Sequence, residues 1–122
     1  DYRRLFDFRV GLSRYLHWSE ARMQEAGITT AQYQLMLALR QLSHGEAGPT
    51  TRELAQLLHR SEHALCDLAQ GATGAGLIER LEDAVDRRLI RLVLTPAGES
   101  CLADLVSLHA TAVDWHPPSL TP

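Results

Sequence analysis

The spacing of apolar residues changes abruptly at Leu77, and this change constrains the fold more than any other feature of the sequence. Before it, apolar side chains recur at helical spacing through 54–58 and 65–72. After it come two short segments, 78–83 and 89–94, and apolar side chains occupy alternate positions in the second. The residues between the two segments include acidic and basic side chains. Two short strands around a polar tip predict a β-hairpin that directly follows two short helices.

Residues that cap helices mark where the helical segments begin. Such residues precede four of the segments, and they are Thr29, Thr50, Ser61 and Thr95. Gln32 and Glu53 lie three residues after the first two and complete capping boxes. Pro96 takes the first helical position, which proline favours. These signals predict helices over 29–43, 50–59, 61–75 and 96–116, with a loop over 44–49.

Residues 2–26 are predicted to form one long helix that has apolar residues on two sides. One stripe includes Leu5, Phe8 and Leu12 at helical spacing, and Phe6 and Val10 lie off that stripe. A helix with two apolar faces needs two partners. Its own domain supplies one of them, and a second copy of the chain is the simplest source of the other. We therefore expect a homodimer.

Composition fits one globular domain and gives no sign of catalytic or metal chemistry. The chain has 122 residues, is 45% apolar and lacks an apolar run long enough to span a membrane. The charged start, 1–9, has no signal-peptide pattern, so we expect a cytoplasmic protein. Cys66 and Cys101 follow no zinc-type spacing, and no nucleophile or phosphate-loop motif is present. We expect no enzyme, cofactor or metal.

The order of elements is that of a winged helix-turn-helix, a mainly α fold with a small β-hairpin wing. We predict a single domain over 1–122, with the winged helix-turn-helix at 29–95. The helices 2–26 and 96–116 flank it as dimerisation helices, and 117–122 form a loose tail. In such folds the second helix of the pair enters the major groove of DNA. An arginine at the hairpin tip suits a narrow minor groove.

Four short motifs in this order resemble the multiple-antibiotic-resistance regulator (MarR) family. They are T-T-R-E-L-A at 50–55, G-L-I-E-R at 76–80, D-R-R at 86–88 and L-T-P-A-G at 94–98. The segment 27–40 resembles the second helix of these proteins, and the likeness spans about residues 2–110. It implies a homodimeric regulator that binds a palindromic operator on double-stranded DNA and releases it when a small ligand or an oxidant arrives. It also implies that Arg88 is the wing arginine, Asp86 its orienting partner and Arg87 a phosphate contact.

The predicted DNA-binding residues are unusually acidic for this role. Residues 50–98 contain six arginines against seven acidic residues, and the second helix has no basic residue after Arg60. Base reading then depends on hydrogen bonds from side chains such as His63 and Gln70, while a glutamate can accept from cytosine. The predicted contact set is Thr50, Thr51, Arg52, Arg60, Ser61, Glu62, His63, Cys66, Gln70, Asp86, Arg87 and Arg88.

Two alternatives stay open at this stage. The acidic second helix permits a winged-helix module that binds protein and has little affinity for DNA. Oxidation of Cys66 beside the DNA permits a thiol-based redox response. A zinc site at His59, His63 and Cys66 is disfavoured, because the break between the two helices separates the histidines.

An effector site is predicted where the first two long helices meet. Family members often bind aromatic carboxylates between the dimer region and the winged domain, and an arginine beside aromatic rings suits such a ligand. The candidates are Tyr15, Trp18, Arg22, Tyr33 and Gln34. Ordinary core and dimer packing is the alternative interpretation of the same residues.

Overall fold

The computed structural model describes residues 1–43 and 47–112, and within them the chain forms five helices and one hairpin. The elements are α1 (Tyr2–Ala26), α2 (Thr30–Leu42), α3 (Thr51–Leu57), α4 (Glu62–Gly74), β1 (Ile78–Glu82), β2 (Ile90–Leu94) and α5 (Pro96–Ala112). The predicted fold class, mainly α with a small hairpin wing, is confirmed. The predicted end of the last helix at 116 and the tail 117–122 lie outside the described residues, as does part of the 44–49 loop.

The four predicted capping residues all cap helices. The Thr29 hydroxyl accepts from the Gln32 backbone N–H at 3.1 Å, and the Gln32 side chain accepts from the Thr29 N–H at 3.0 Å. The box that opens α3 has the same geometry. Ser61 and Thr95 accept from the backbone three residues later, each at 3.0 Å. Each cap stabilises its helix by about 1 kcal/mol. Because a cap and the N–H group it accepts from lie three residues apart, the starts of these helices could be predicted from the local sequence.

The core is built around α2, which packs against α1, α4, α5 and β2. Leu35, Met36 and Leu39 of α2 are fully buried. The other helices and the hairpin each add apolar side chains to the same core, and the largest of those that are fully buried are Leu54, Leu65, Ile78, Leu92 and Leu105. The winged domain and the C-terminal helix therefore share one core.

The hairpin is extended by the segment that precedes α3. β1 and β2 are antiparallel, with Ile78 opposite Leu94 and Glu82 opposite Ile90. The Leu92 N–H donates to the Pro49 carbonyl at 3.1 Å, beside an isolated bridge between Thr50 and Arg91. The periodicity of the sequence did not indicate this third segment, because it pairs at a single position.

The first half of α1 is largely exposed. Ser19 and Met23, in its second half, are buried. By contrast, Leu5 and Phe6 are 63% and 68% exposed. Met23 near the end of α1 is therefore buried in the domain, whereas Leu5 and Phe6 near its start are accessible in the single chain.

Gly98, the last residue of the L-T-P-A-G motif, lies where helix α5 comes close to the backbone of Leu77. A Cβ added there would lie 1.9 Å from the Leu77 carbonyl oxygen, whereas one added to Gly74 meets nothing within 4 Å. Gly98→Ala must displace backbone, so we expect it to destabilise the fold by about 2–3 kcal/mol. Gly74→Ala, the matched control, should be neutral or stabilise by up to about 1 kcal/mol. Urea denaturation measures both, and equal midpoints for the two variants would contradict the close-approach explanation.

Candidate nucleic-acid interface

Helix α4 presents one polar face to solvent. Its buried side is apolar and consists of Leu65, Ala69 and Ala72. The polar side chains on its exposed face include Glu62, His63, Cys66, Asp67 and Gln70. The four predicted base-reading residues of this helix thus lie on one face, accompanied by Asp67. Capping by Ser61 fixes where this face begins.

Both acidic residues of this face lie beside a nitrogen-bearing side chain. Arg52, from α3, donates from Nε to Glu62 Oε1 at 3.1 Å. His63 Nε2 lies 3.6 Å from Asp67 Oδ2, one helical turn away. All four side chains are exposed. The first pair uses the Nε of Arg52 and leaves its Nη groups available, so Arg52 can hold Glu62 while it meets a phosphate.

The other predicted contacts at the start of α3 and before α4 differ in accessibility. Arg60 is exposed and Thr51 is half-buried. Thr50 is 6% exposed, and its hydroxyl is used in the cap with Glu53. Thr50 therefore positions α3 rather than presenting a side chain to a ligand.

At the wing tip, Asp86 holds Arg88 through two side-chain hydrogen bonds. Arg88 Nε donates to Asp86 Oδ1 at 3.0 Å, and Nη2 donates to Oδ2 at 3.1 Å. The Arg88 side chain is nevertheless 89% exposed. Hydrogen bonds from the Arg88 side chain and then its backbone N–H lower the pKa of Asp86, and the same side-chain bonds raise the pKa of Arg88. Arg87, beside this pair, is exposed as well.

Where the two strands meet the wing loop, Asp83 and Arg91 form a contact that sequence reasoning missed. Arg91 Nε donates to Asp83 Oδ1 at 2.6 Å, and both side chains are shielded, with Arg91 at 27% and Asp83 at 14% exposure. Asp83 Oδ2 accepts the backbone N–H groups of Asp86, at 2.8 Å, and Val85. The Asp86 N–H, Arg91 and the Val85 N–H together lower the pKa of Asp83 to about 2. Arg91 is thus engaged in hydrogen bonds within the protein.

A second cluster, around His109 of α5, joins three helices. The ring stacks on Tyr33 with centroids 4.9 Å apart, and Trp18 and Tyr15 meet it edge-on at 5.3 and 6.2 Å. His109 is 5% exposed. Burial, followed by the nearby Tyr15, raises the pKa of Tyr33. The structure therefore brings together three of the five predicted effector residues around a histidine that was not among them.

Hydrogen bonds define the proton positions of this buried histidine. Its Nδ1 lies 2.7 Å from the Leu105 carbonyl, which only accepts, so Nδ1 carries a proton. Nε2 lies 2.7 Å from the Ser19 hydroxyl, which donates to it when the ring is neutral. A polar residue on the apolar stripe of Leu102 and Leu105 was the available signal in the sequence.

The two remaining effector candidates lie at the edge of this cluster. The Arg22 guanidinium lies 5.7 Å from the centre of the Trp18 ring and forms an ion pair with Glu25 at 2.9 Å. Its Nε is buried and has no hydrogen-bond partner within the described residues. Gln34 is exposed on α2. Arg22 thus has an unused donor beside aromatic rings, whereas Gln34 is not part of the cluster.

The described residues contain no group of three or more side chains that could hold a metal ion. They also contain no helix with the length and apolarity needed to cross a membrane.

The class defined by this geometry is the winged helix-turn-helix protein. Neither protein-family models nor curated proteins give a match to the chain. Solved structures do, and MarR family regulators are among those that match. MepR of Staphylococcus aureus, a transcription regulator of the multidrug efflux pump MepA, is 22% identical with a TM-score of 0.80, over 93% of this chain and 80% of that one.

Two further structures support the same fold. AbsC, a MarR family transcriptional regulator from Streptomyces coelicolor, has a TM-score of 0.79 at 23% identity, over 96% of this chain and 79% of that one. A point mutant of S. aureus MepR, bound to an oligodeoxyribonucleotide, has a TM-score of 0.74 at 23% identity, over 97% and 86%. The resemblance indicated by the sequence motifs is confirmed at the level of the fold: this chain has the architecture of MarR regulators.

Proposed function

We propose that the protein is a MarR-type, sequence-specific DNA-binding transcriptional regulator that acts as a homodimer in the cytoplasm. The observation that carries this proposal is the pair of Asp86 and Arg88 at the tip of a wing. Asp86 orders the arginine before binding while leaving it exposed, which reduces the entropy lost when the arginine enters a groove. A related fold, the MepR mutant described above, is bound to an oligodeoxyribonucleotide.

In this proposal, α4 lies in the major groove and the wing reaches a flanking minor groove. His63 and Gln70 donate to base edges, and Glu62 accepts from cytosine N4. Arg52, Arg60 and Arg87 contact phosphates. Cys66, which lies between His63 and Gln70 on the exposed face of α4, also faces the DNA.

The homodimer is supported by the exposed apolar half of α1. Leu5 and Phe6 lie on it, and covering large exposed apolar side chains is favourable. A two-fold dimer places two α4 helices about one DNA turn apart, which matches a palindromic operator.

The effector in this proposal is a small aromatic carboxylate, and its binding releases DNA, as in a repressor. Arg22, whose Nε has no hydrogen-bond partner among the described residues, supplies the cation, and Trp18 supplies the aromatic surface. A redox response at Cys101 is less well supported, because burial and then the nearby Asp104 raise the pKa of that thiol and so disfavour the reactive thiolate.

One observation favours a different class, a winged-helix module that binds a protein. The exposed face of α4 carries Glu62 and Asp67 and neither arginine nor lysine, which opposes DNA binding by charge alone.

Salt dependence of DNA affinity separates the two functions. Few cations face the DNA, so we expect about four to eight ion contacts per dimer and a log–log slope of about −4 to −7. Fluorescence anisotropy on duplexes from upstream of the protein's own gene, with a random duplex as control, measures this. A preference of about a hundredfold supports the regulator. No preference on any such duplex, even at low salt, would instead support the protein-binding module.

Removing the negative charge of Asp86 from the wing should weaken DNA binding rather than strengthen it. Arg88→Ala should weaken operator binding by about 1–3 kcal/mol. Asp86→Ala should weaken it less, although the change removes a negative charge near DNA, because Arg88 loses its orienting partner. Arg40→Ala removes an exposed cation of α2 and serves as the control. If Asp86→Ala tightens binding, Asp86 is a repulsive surface charge and not an orienting residue.

The dimer prediction uses the exposed half of α1. Light scattering at micromolar concentration should give about twice 13.6 kDa. Phe6→Glu should reduce the mass towards the monomer with unchanged helix content, since Phe6 is exposed in the single chain. Leu57→Glu, at an exposed leucine of α3, should leave the mass unchanged. A wild-type monomer would contradict the dimer and the palindrome together.

A further inference from the structure

We propose that Asp83 and Arg91 are positioning residues that fix the wing to the helix-turn-helix and so set where Arg88 meets DNA. This inference rests on the proposed DNA-binding function. It assigns a role in operator recognition to two residues that do not themselves contact DNA.

Arg91 forms the first half of this connection, which we call the wing clamp (Gly48, Asp83 and Arg91). Its Nε donates to Asp83 Oδ1 at 2.6 Å and its Nη1 donates to the Gly48 carbonyl at 2.7 Å. Each nitrogen points to a different element, so one guanidinium joins the start of the wing loop to the segment before α3. Charge-assisted bonds of this length, shielded from water, resist exchange with solvent better than exposed ones.

Asp83 forms the second half and extends the connection to the wing tip. Its other oxygen accepts the N–H groups of Val85 and Asp86, which closes an Asx-type turn. Asp86 then holds Arg88 through its own carboxylate. An unbroken series of hydrogen bonds therefore runs from Gly48 to the exposed Arg88 guanidinium.

The inner end of the wing clamp is attached to the DNA-reading helices. Gly48 is followed by Pro49, whose carbonyl accepts from β2, and by Thr50, the N-cap of α3. A Cβ on Gly48 would lie 2.0 Å from the Leu92 carbonyl oxygen, so the two backbones touch. Helix α3 packs against α4. The wing clamp thus fixes the distance between the α4 face and Arg88.

A fixed distance matters because α4 and the wing engage different grooves at the same time. When one contact is made, the second occurs at an effective concentration that is highest if its position already matches the site. Loss of the wing clamp lets the tip move and lowers this concentration. The cost then appears only in the contact of Arg88.

The decisive comparison is Asp83→Asn against Glu82→Gln, because each removes one negative charge from the wing. The asparagine side chain keeps a carbonyl oxygen for the turn but presents an uncharged amide to Arg91. Glu82, on β1, is exposed. If only the loss of a negative charge mattered, both variants would bind DNA more tightly. The wing clamp predicts that Asp83→Asn weakens operator binding about fivefold or more, while Glu82→Gln leaves it unchanged or tighter.

A double-mutant cycle with Arg88→Ala measures the coupling between Asp83 and Arg88 in operator binding. No such coupling is expected if Asp83 only stabilises the fold. In the Arg88→Ala background, Asp83→Asn should cause no further loss, because the wing clamp acts through Arg88. Arg91→Gln should show the same coupling, and it serves if Asp83→Asn lowers the melting temperature below the assay range. Hydroxyl-radical footprinting should show lost protection in the flanking minor groove and retained protection at the centre.

The outcomes separate this inference from the function on which it rests. If the wild type binds the operator but Asp83→Asn and Glu82→Gln bind it with equal affinity, the wing clamp alone is overturned. The same holds if Asp83→Asn weakens binding as much in the Arg88→Ala background as in the wild type. A wild-type protein that prefers no duplex would overturn the proposed function and the wing clamp with it.

Discussion

The architecture depends on two places where backbones touch without an intervening side chain. At Gly48 the segment before α3 lies against β2, and at Gly98 the first turn of α5 lies against the residue before β1. The hairpin is thereby held on one side by the helix-turn-helix and on the other by the C-terminal helix. A two-stranded hairpin is marginal by itself. Here the hairpin packs against the core around α2, and the two backbone contacts fix its position relative to the helices.

The elements could be predicted from the sequence because their signals are local. A cap such as Thr29 and its partner Gln32 are three residues apart, and the apolar period needs only a short window. The Asp86 and Arg88 pair was equally accessible, at a separation of two residues. The predicted starts of the helices and the position of the hairpin consequently agree with the structure.

Two of the contacts that sequence reasoning missed join residues far apart in the chain, and local periodicity does not indicate such contacts. Ser19 meets His109 across ninety positions, and Arg91 reaches Gly48 across forty-three. Nothing in the local pattern distinguishes Arg91 from the exposed arginines of the wing. Burial has the same limitation: the periodicity of α1 puts Leu5 and Met23 on one apolar stripe, but only packing shows that Met23 is buried while Leu5 is exposed.

Three arginine–carboxylate pairs lie along the proposed interface, and their exposure indicates different contributions. Ion pairs that face water add little to stability, so the pairs of Arg52 with Glu62 and Arg88 with Asp86 contribute little to folding. Their effect is to restrict long side chains before a ligand arrives. The pair of Arg91 with Asp83 is shielded, and removing either partner leaves a charge without its counter-ion. An acidic surface of this kind neutralises few phosphates and gains little non-specific affinity. In the proposed regulator, discrimination between DNA sites then comes from side chains already held in place, which is the property that all three pairs share.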